Sequence, residues 1–561
     1  MNRSVPIGEV RRVGDHALLA GVADPPAART LSRLIKASER PGLREVIGGV
    51  ATVLVLCDDP ADVEGALPWL VDLADVVRSR PGDEVGEESN LVQIGCAFDG
   101  PDLAEAAELA SCTPDDVIEG LTARPLTVDV TGFSPGFAYL SGLPPLLQDI
   151  PRRSRPRASV PPGSVALANG YAAVYPFASP GGWQLVGRTN ERLFRTDAFP
   201  YARLAPGDRV QFTLEADATS PHTVPPANRM APSDWVPPSG AVPVFEVEKA
   251  GLRTALQDGG RRGLAAIGVP GAGPADPASF QLANRLVGND DDAGALEITA
   301  RGPDLRCLAD TYLAVVGGSW HAELDHRPLA VGQVVPVRAG EHCALGMASG
   351  GLRAYVAIAG GLVGPAVLGS IATDQLCGLG PGELSRGSRL WAMPMRVPLG
   401  DHLGSEYRHT AHDAAAMLRV VPGPHHEWFD HGALDAFARC RYIVGTASNR
   451  VGLRLQAADG RSPVGLHPLG RELDSQGTVT GAVQIPPDGD PVILLPDHAT
   501  LGGYPVLAVV ASADHGMLGQ CAPGTVVQFL PIDHGQAVAA WREGRRTLRR
   551  AVLGHYPVAV E

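Results

Sequence analysis

One pattern that occurs twice in the chain constrains the fold more than any other feature. A Gly-Gly-Trp turn at residues 181–183 precedes the string Ala-Pro-Gly-Asp-Arg-Val-Gln-Phe at residues 205–212. A Gly-Gly-Tyr turn at residues 502–504 precedes Ala-Pro-Gly-Thr-Val-Val-Gln-Phe at residues 522–529, and six of the eight positions in the two strings match. Internal similarity of this kind indicates a duplicated unit. We therefore predict two copies of one β-rich module, each presenting a glycine turn and closing with a strand.

Length and charge restrict the number of domains and the class of partner. A chain of 561 residues is too long for one hydrophobic core and should form about three or four domains. The formal charge of -14 disfavours nucleic acid and anionic membrane surfaces, because both would repel the protein. The expected partner is therefore a small molecule or another protein, and a homo-oligomer stays open.

Targeting, redox and metal signals are weak. The N-terminus has no signal-peptide core, and no apolar run approaches the roughly 20 residues that cross a bilayer, so we expect a soluble, cytoplasmic protein. The eight cysteines form no Cys-x-x-Cys pair, which favours free thiols over a zinc site. His425, His426 and His431 lack the helical i, i+4 spacing of zinc proteases, and we predict no metal site.

Apolar periodicity and turn residues divide the chain into six segments. Their predicted bounds are 1–90 for an N-terminal α+β domain without a convincing polar cluster, 91–217 for a small β-barrel, 218–242 for a Pro-rich linker, 243–400 and 401–535 for the two parts of the second half, and 536–561 for a C-terminal helix and tail. Helices are predicted at 27–40, at 61–80 with an interruption at Pro68, at 113–118, 278–287 and 434–439, and from 536 to 553. Strands are predicted at 50–56, 165–177, 208–214, 244–247, 312–316, 353–358, 492–495 and 506–510.

Loops of the first half carry one group of candidate site residues. The glycines and aromatics of residues 132–140 suit a chain that bends sharply beside a flat polar ligand. Arginines at 152, 153, 155 and 157 can fork onto a carboxylate or phosphate, although a solvated basic loop is an equal alternative. Consecutive N–H groups of the turn at Gly181 and Gly182 can stabilise an oxyanion, and Gly-Gly turns are also ordinary hairpin ends.

Loops of the second half carry the other group. Asp258 and Asp276 are candidates for a base or for a carboxylate that orients a cation, and Arg261 can hold a substrate carboxylate or polarise a carbonyl. An Asp-Arg pair that braces a turn is an equal alternative. The sequence contains no Walker-type phosphate loop, so a bound nucleotide would be held in another way.

Both halves resemble a known pair of protein families. Residues 132–143, 151–164 and 179–189 resemble allophanate hydrolase subunit 1, the family of the 5-oxoprolinase B subunit and of the Kip kinase inhibitor. Residues 251–261, 268–270, 276, 283–289, 296–297, 448–450, 484–489 and 497–505 resemble the partner family, subunit 2, to which the C subunit belongs. The same pair is similar to the carboxyltransferase domain of urea carboxylase. The chain therefore resembles a fusion of two subunits that are usually separate.

The resemblance implies a fold and a function. The expected fold is mainly β with α+β, comprising two cyclophilin-like β-barrel modules and an N-terminal α+β domain. The expected function is that of the fused B and C subunits of a 5-oxoprolinase-like enzyme, which hydrolyses a lactam or amide with ATP and a separate A-type subunit. The alternatives are a carboxyltransferase that receives carboxybiotin and acts on urea or a related amide, and a non-enzymatic regulator of Kip type.

The residues expected to carry this function come from both halves. Asp258, as a base, with Arg261 and Arg188 form the predicted catalytic set. The predicted substrate-binding residues are Gly132, Phe133, Pro135, Gly136, Tyr139, Arg157, Gly181, Gly182, Trp183, Asp276, Gln484, Asp497, Thr500, Gly502, Gly503 and Tyr504. The chain departs from the family pattern at four places, namely Leu121, Tyr171-Ala172, Ile371-Ala372-Thr373 and Ser475-Gln476-Gly477.

Overall fold

The computed structural model of the protein describes residues 5–79, 89–215, 235–395, 415–460 and 473–553. Within these ranges the chain is mainly β, with short helices placed around the sheets. Most of the predicted linker and parts of the predicted segments 401–535 and 536–561 lie outside the described residues. The predicted bounds of the six segments stay a prediction.

An antiparallel sheet with two helices forms the N-terminal part. The strands pair in the order β1-β2-β4-β3, and apolar residues of both helices pack on the sheet. Helix α2 continues through Pro68, where an interruption was predicted, because Val63, Ala66, Leu70 and Ala74 on its buried face pack on both sides of the proline. The elements are β1 (Val10–Val13), β2 (Ala17–Gly21), α1 (Pro25–Ala37), β3 (Leu43–Gly48), β4 (Thr52–Cys57) and α2 (Pro60–Ser79).

The first barrel follows. Seven strands pair in the order β12-β9-β10-β7-β6-β13-β5, and a bridge between Ala97 and Arg188 joins the two ends of this order. Helix α4 begins where the sequence predicts it, because Thr113 and Asp116 form a reciprocal capping box. The elements are β5 (Leu91–Cys96), α3 (Leu103–Leu109), α4 (Pro114–Thr122), β6 (Leu126–Thr131), β7 (Ala138–Ser141), α5 (Pro145–Gln148), β8 (Arg157–Val160), β9 (Ser164–Ala168), β10 (Tyr171–Val174), β11 (Ser179–Gly181), β12 (Gln184–Arg188) and β13 (Arg209–Leu214).

A ten-stranded sheet opens the second half. Its longest strands, β18 and β21, pair antiparallel, and helix α6 packs on them. A short 3₁₀ helix, Ala265–Ile267, lies in the loop before α6. The elements are β14 (Val242–Lys249), β15 (Arg253–Gln257), α6 (Pro277–Leu286), β16 (Ala295–Thr299), β17 (Asp304–Cys307), β18 (Thr311–Leu324), β19 (Arg327–Pro328), β20 (Val334–Val337), β21 (His342–Ile358), β22 (Leu362–Val363) and β23 (Arg389–Ala392).

A closed second barrel ends the described chain. Its strands follow one another in the order β24-β31-β28-β29-β26-β25-β32, and α9 comes after the last strand. The elements are β24 (Ala416–Pro422), a 3₁₀ turn (His426–Trp428), α7 (Ala433–Arg439), β25 (Tyr442–Val444), β26 (Gly452–Ala457), β27 (Gln476–Gly477), β28 (Ala482–Gln484), β29 (Val492–Leu494), β30 (Leu501–Gly502), β31 (Val506–Val510), a 3₁₀ turn (Ser512–Asp514), α8 (His515–Gln520), β32 (Val526–Pro531) and α9 (His534–Leu553).

The two barrels have the same topology. Read around the second barrel, the order β31-β28-β29-β26-β25-β32-β24 matches the order of the first barrel strand for strand. In each barrel the last strand pairs parallel with the first strand and antiparallel with the second. Each barrel also carries a two-stranded sheet, β8 with β11 or β27 with β30, that holds the first glycine of the repeated turn. The prediction of two barrel modules is confirmed.

The halves are joined by a shared core and by loop contacts. One cluster of buried side chains combines Leu54 of the N-terminal sheet, Phe137 and Trp183 of the first barrel, and Leu501 and Val509 of the second. All eight cysteines are free, and six of them are buried. No helix in the described ranges is long and apolar enough to cross a membrane.

Candidate functional site

The candidate site is a cavity where the N-terminal sheet, the loops before α6 and the second barrel meet. Its volume is about 330 Å³, which lies at the lower end of the range for small-molecule pockets. The polar residues that line it are His16, Arg44, Glu45, Asp58, Arg261, Arg262, Gln281, Asp292, Thr478, Thr480, His498, Thr500, Ser512 and His515. Residues from both halves are therefore needed to build it. The N-terminal part, which had no convincing polar cluster in the sequence, supplies four of these side chains.

Arg261 is the most deeply buried cation of the cavity, with 3% of its surface exposed. Its Nε donates to the carbonyl of Val367 at 3.1 Å, and Nη2 donates to the carbonyl of Ala372 at 2.7 Å. Its buried Nη1 has no hydrogen-bond partner in the described part of the chain. Burial lowers the pKa of this guanidinium even though Asp374 acts in the opposite direction. A guanidinium held by carbonyl dipoles, with one N–H group left over, is suited to bind an anion.

Two more arginines border the same space. Burial lowers the pKa of Arg44, and the nearby Asp58 opposes that effect. Arg262 pairs with Asp292 at 3.3 Å, and both side chains are more than half exposed. Glu45 accepts hydrogen bonds from the backbone N–H groups of residues 263 and 265, and burial raises its pKa. The cavity therefore contains charges of both signs, and among its described residues Arg261 has a buried donor without a partner.

Three histidines line the cavity. Nδ1 of His16 lies 3.0 Å from the buried carboxylate of Asp15. The rings of His16 and His515 are 6.1 Å apart, edge to face, and removal from water lowers the pKa of His515 to about 4. Nδ1 of His498 lies 3.1 Å from the hydroxyl of Thr478, and burial lowers the pKa of His498. At neutral pH the rings of His515 and His498 are therefore uncharged.

A buried ion network supports the loop that forms one wall. Arg450 binds both carboxylate oxygens of Asp497 at 2.9 Å, Glu297 at 2.5 Å and the carbonyl of Gly273 at 2.6 Å. The other oxygen of Glu297 accepts hydrogen bonds from the backbone of Ala275 at 3.0 Å and from a tyrosine hydroxyl. Asp497, predicted to bind substrate, is fully buried in this network. The contacts of this network hold residues 273–275 in place beside the cavity.

The carboxylates of Asp276 and Asp258 also accept hydrogen bonds that hold loops in place. Asp276 caps α6, where its carboxylate accepts from the backbone and hydroxyl of Ser279 at 3.1 and 2.7 Å and from Gln520 at 2.8 Å. Asp258 accepts from the hydroxyl of Ser370 at 2.5 Å and from the backbone of Gly260 and Ile371 at 2.9 and 2.8 Å. Neither carboxylate belongs to the cavity lining. These contacts favour the turn-bracing alternative, and the role of Asp258 as a base stays a prediction.

The loop that holds Gly132, Phe133, Pro135 and Gly136 contacts the second half. The backbone N–H of Gly136 donates to the carbonyl of Ile267 at 3.0 Å, and a Cβ at Gly132 would lie 2.5 Å from Leu501. Phe137 is the centre of an aromatic cluster whose edge-to-face contacts extend to Phe133, Tyr139, Tyr175 and Trp183. Tyr139 and Trp183 are each 7% exposed. The loop and its aromatics therefore pack against the second barrel and do not line the cavity.

Three of the predicted arginines of the first half are paired with acids. Arg157 donates to Asp102 at 2.6 Å, and Arg153 binds the same carboxylate at 3.0 Å. Arg188 binds Asp99 through both its Nε and Nη2, and its side chain is one-third exposed. Within the described chain, none of these three side chains lines the cavity.

Of the remaining predicted residues, the structure brings only Thr500 to the cavity together with Arg261. The hydroxyl of Thr500 is buried and has no hydrogen-bond partner among the described residues. Gly502 pairs with Gln476 in the small sheet, and Tyr504 is 45% exposed. The other predicted positions that lie outside the lining are Gly181, Gly182, Gln484 and Gly503.

Sequence reasoning missed the histidines. His16, His498 and His515 come from three distant segments, so no spacing rule connects them. The one local signal is that each follows an aspartate directly, as Asp15-His16, Asp497-His498 and Asp514-His515. Such a pair can supply both a base and the carboxylate that orients it.

Comparison with known proteins gives matches along both halves. Residues 9–204 match the family described as carboxyltransferase domain, subdomain C and D, and residues 267–531 match carboxyltransferase domain, subdomain A and B. The crystal structure of TTHA0988 superposes with a TM-score of 0.79 at 29% identity, covering 93% of this chain and all of that chain. The whole architecture is therefore shared with a solved protein.

Curated relatives match one half each. The C subunit of 5-oxoprolinase from Escherichia coli is 34% identical over 308 residues, which cover 54% of this chain and 96% of the relative. The B subunit of 5-oxoprolinase from Haemophilus influenzae is 34% identical over 196 residues, which cover 34% of this chain and 91% of the relative. Urea amidolyase of Lachancea kluyveri is 34% identical over 312 residues, but these are only 17% of that protein. The chain belongs to the carboxyltransferase-domain family, as a fusion of two parts that are similar to the B and C subunits of 5-oxoprolinase.

Proposed function

We propose that the chain is the fused B and C component of a 5-oxoprolinase-like complex, which opens a lactam or amide by ATP-dependent hydrolysis together with a separate A-type subunit. The observation that carries the proposal is the composite cavity, in which the unused N–H of Arg261 and the imidazole of His16 come from different halves. Near-complete coverage of both the B and the C relatives supports it further.

The lining suits a small planar substrate with one negative charge. Arg261 can bind a carboxylate through Nη1, and the hydroxyl of Thr500 is available for a carbonyl or amide group. Histidines beside them can move the proton that amide hydrolysis requires. 5-oxoproline, a five-membered lactam with a carboxylate, has this combination of groups.

ATP would convert the amide oxygen into a phosphate ester and so make the amide carbon easier for water to attack. In this chain, the unused donor of Arg261 fits a carboxylate or a phosphoryl group. A cavity of about 330 Å³ without a phosphate loop favours a nucleotide site that is shared with the A-type subunit.

The similarity to urea amidolyase supports a second candidate, a biotin-dependent carboxyltransferase acting on urea or a related amide. In that case an amide nitrogen in the same cavity would be carboxylated, with carboxybiotin delivered by another polypeptide. Avidin would block this activity, and it would not block lactam hydrolysis.

The deciding experiment is co-purification of the chain with a candidate A-type subunit, followed by assay of glutamate and phosphate released from 5-oxoproline and ATP. Glutamate that appears only with both proteins and ATP, and is insensitive to avidin, is the expected result. Avidin-sensitive carboxylation of urea would favour the second candidate. Stable binding of a histidine kinase without any turnover would instead favour the regulatory alternative.

A further inference from the structure

Asp15 and His16 form a pair at the edge of the cavity. They lie in the turn between β1 and β2, where Gly14 has a φ of 68° and allows the chain to reverse. The carboxylate of Asp15 is fully buried, and one of its oxygens accepts from Nδ1 of His16 at 3.0 Å. The other oxygen accepts from the hydroxyl of Ser512 at 2.6 Å and from its backbone N–H at 3.1 Å. Within the described residues, the ring of His16 is therefore held by a hydrogen bond at Nδ1 only.

The hydrogen bonds define the protonation of the ring. Burial on its own would raise the pKa of Asp15, but the hydrogen bonds from His16 and Ser512 outweigh it and leave the pKa well below its usual range. An ionised carboxylate can only accept, so Nδ1 of His16 carries the proton. Nε2 of the neutral ring is then unprotonated, and it makes no hydrogen bond within the described residues. His16 lines the cavity, so this lone pair is available to a ligand there.

The surroundings leave His16 able to accept a proton. His515, which packs against it, is uncharged at neutral pH, because removal from water lowers its pKa. The other charged or titratable groups of the cavity wall are Arg44 and Glu45 on β3, Asp58 after β4, Arg261, Arg262 and Asp292 in the loops, and His498. Asp514, beside His515, is neutralised by Arg419. Asp15 is thus the anion in direct contact with the ring.

We infer that Asp15 and His16 are the proton-transfer pair of this cavity, with His16 as the catalytic base and Asp15 as its positioning residue. The inference rests on the proposed hydrolysis. A water oxygen bonds to the activated amide carbon while one of its protons moves to Nε2 of His16. When the C–N bond breaks, its electron pair moves to the nitrogen, and the imidazolium returns the proton to that nitrogen. The hydroxyl left on the carbon loses its proton and becomes the carbonyl of an acyl phosphate. A second water then hydrolyses the acyl phosphate to the carboxylate and inorganic phosphate. The B-like half thereby supplies the base for a site whose anion binder comes from the C-like half.

The first test measures kcat and KM of the reconstituted complex. His16→Gln should lower kcat by at least about 100-fold with little change in KM, because a general base acts in the transition state. Asp15→Asn removes the carboxylate that holds the proton on Nδ1 of His16, so Nε2 is no longer fixed as the acceptor, and kcat should fall by at least about 10-fold with little change in KM. Unchanged kcat in His16→Gln would overturn the inference.

A matched variant separates positioning from folding. Asp208→Asn removes a buried carboxylate of the first barrel that accepts from the backbone N–H of Ala205 at 2.8 Å and lies outside the cavity lining, so it should lower the melting temperature and leave kcat unchanged. If Asp15→Asn behaves in the same way, with a lower melting temperature and an unchanged kcat, Asp15 is only structural and the assignment of the pair is wrong.

A second readout does not depend on turnover. Diethyl pyrocarbonate modifies unprotonated imidazole nitrogens, and peptide mass spectrometry can compare His16 with the exposed His326 in the same sample. 5-oxoproline should slow the modification of His16 and leave His326 unaffected. If the complex lacks lactam hydrolysis, the proposed function fails, whereas protection of His16 by 5-oxoproline or urea would still place it in a ligand site. No protection by either compound would overturn the role of His16.

Discussion

Arg450 and Glu297 are 153 positions apart in the sequence, yet their side chains meet at 2.5 Å and are only 5% and 3% exposed. The first precedes a strand of the second barrel, and the second lies in β16 of the ten-stranded sheet. Asp497 shares the same guanidinium. This contact fixes the second barrel against the sheet beside the cavity.

Removing Arg450 should destabilise the protein strongly. In Arg450→Met, two buried carboxylates lose their partner, and breaking a buried pair costs about 3–5 kcal/mol. The matched variant Lys249→Met removes an exposed partner of Asp304, with the lysine side chain 73% exposed, and should cost at most about 1 kcal/mol. The measurement is the free energy of unfolding in urea, and equal losses in the two variants would contradict the expectation.

The contact between the two halves should be sensitive to a single methyl group. Gly268 has a φ of 84°, and a Cβ there would overlap the carbonyl oxygen of Ser134 in the first barrel. Gly387 has the same φ of 84° but nothing within 4 Å of its Cβ position. Both alanine variants carry about 1–2 kcal/mol of backbone strain, and Gly268→Ala should lose about 1–3 kcal/mol more through overpacking. Equal melting temperatures for the two variants would show that the loops do not pack tightly.

Substitutions of Arg261 and Arg188 distinguish between two possible positions of the anion site. Arg261→Gln should weaken binding of 5-oxoproline by about 10- to 100-fold, because a charge-assisted hydrogen bond is lost in a buried site. Arg188 is paired with Asp99 outside the cavity, so Arg188→Gln should change the affinity by less than about twofold. Titration calorimetry of 5-oxoproline binding to the complex measures both affinities and so distinguishes the two positions. A large loss in Arg188→Gln alone would favour the site predicted from the sequence.

His425 should make stability depend on pH. Burial lowers its pKa to about 3 in the folded protein, from 6.5 in an unfolded chain. Between these values the unfolded chain binds a proton that the folded chain does not, so stability falls as the pH decreases from 6.5, by up to about 1.4 kcal/mol per pH unit. His425→Gln lacks this proton and should show a shallower decline in urea unfolding at pH 7, 6 and 5. Parallel curves for variant and wild type would contradict the assignment.

Local signals predicted several elements of the fold, but the strand predicted at 165–177 is a hairpin of β9 and β10 that turns at Asn169 and Gly170. The Thr113 cap, the final helix and the paired strings that became β13 and β32 all depend on residues close together in the sequence. The continuous helix at Pro68 was missed because tertiary packing of its buried face outweighs the local effect of proline.

The candidate site was harder to predict because its contacts are long-range. Ser512 and Asp15 are 497 positions apart, and the partners of Arg261 are backbone carbonyls, whose positions no side-chain pattern reveals. Glycine and aromatic residues of the Gly132 loop have the composition of a ligand loop, but the same residue types also allow close packing between barrels. Only the contacts in the folded chain show whether such a loop binds a ligand or packs between barrels.

Parallel pairing of the first and last strand in each barrel has a consequence for how such a chain can be assembled. Because β5 lies beside β13, and β24 beside β32, the strand by which the polypeptide enters each ring is the neighbour of the strand by which it leaves. Once residue 214 has left the ribosome, every strand of the first ring has been synthesised. Cutting or joining the chain between Leu214 and Val242 therefore opens neither ring, so one gene or two can encode the same pair of closed modules.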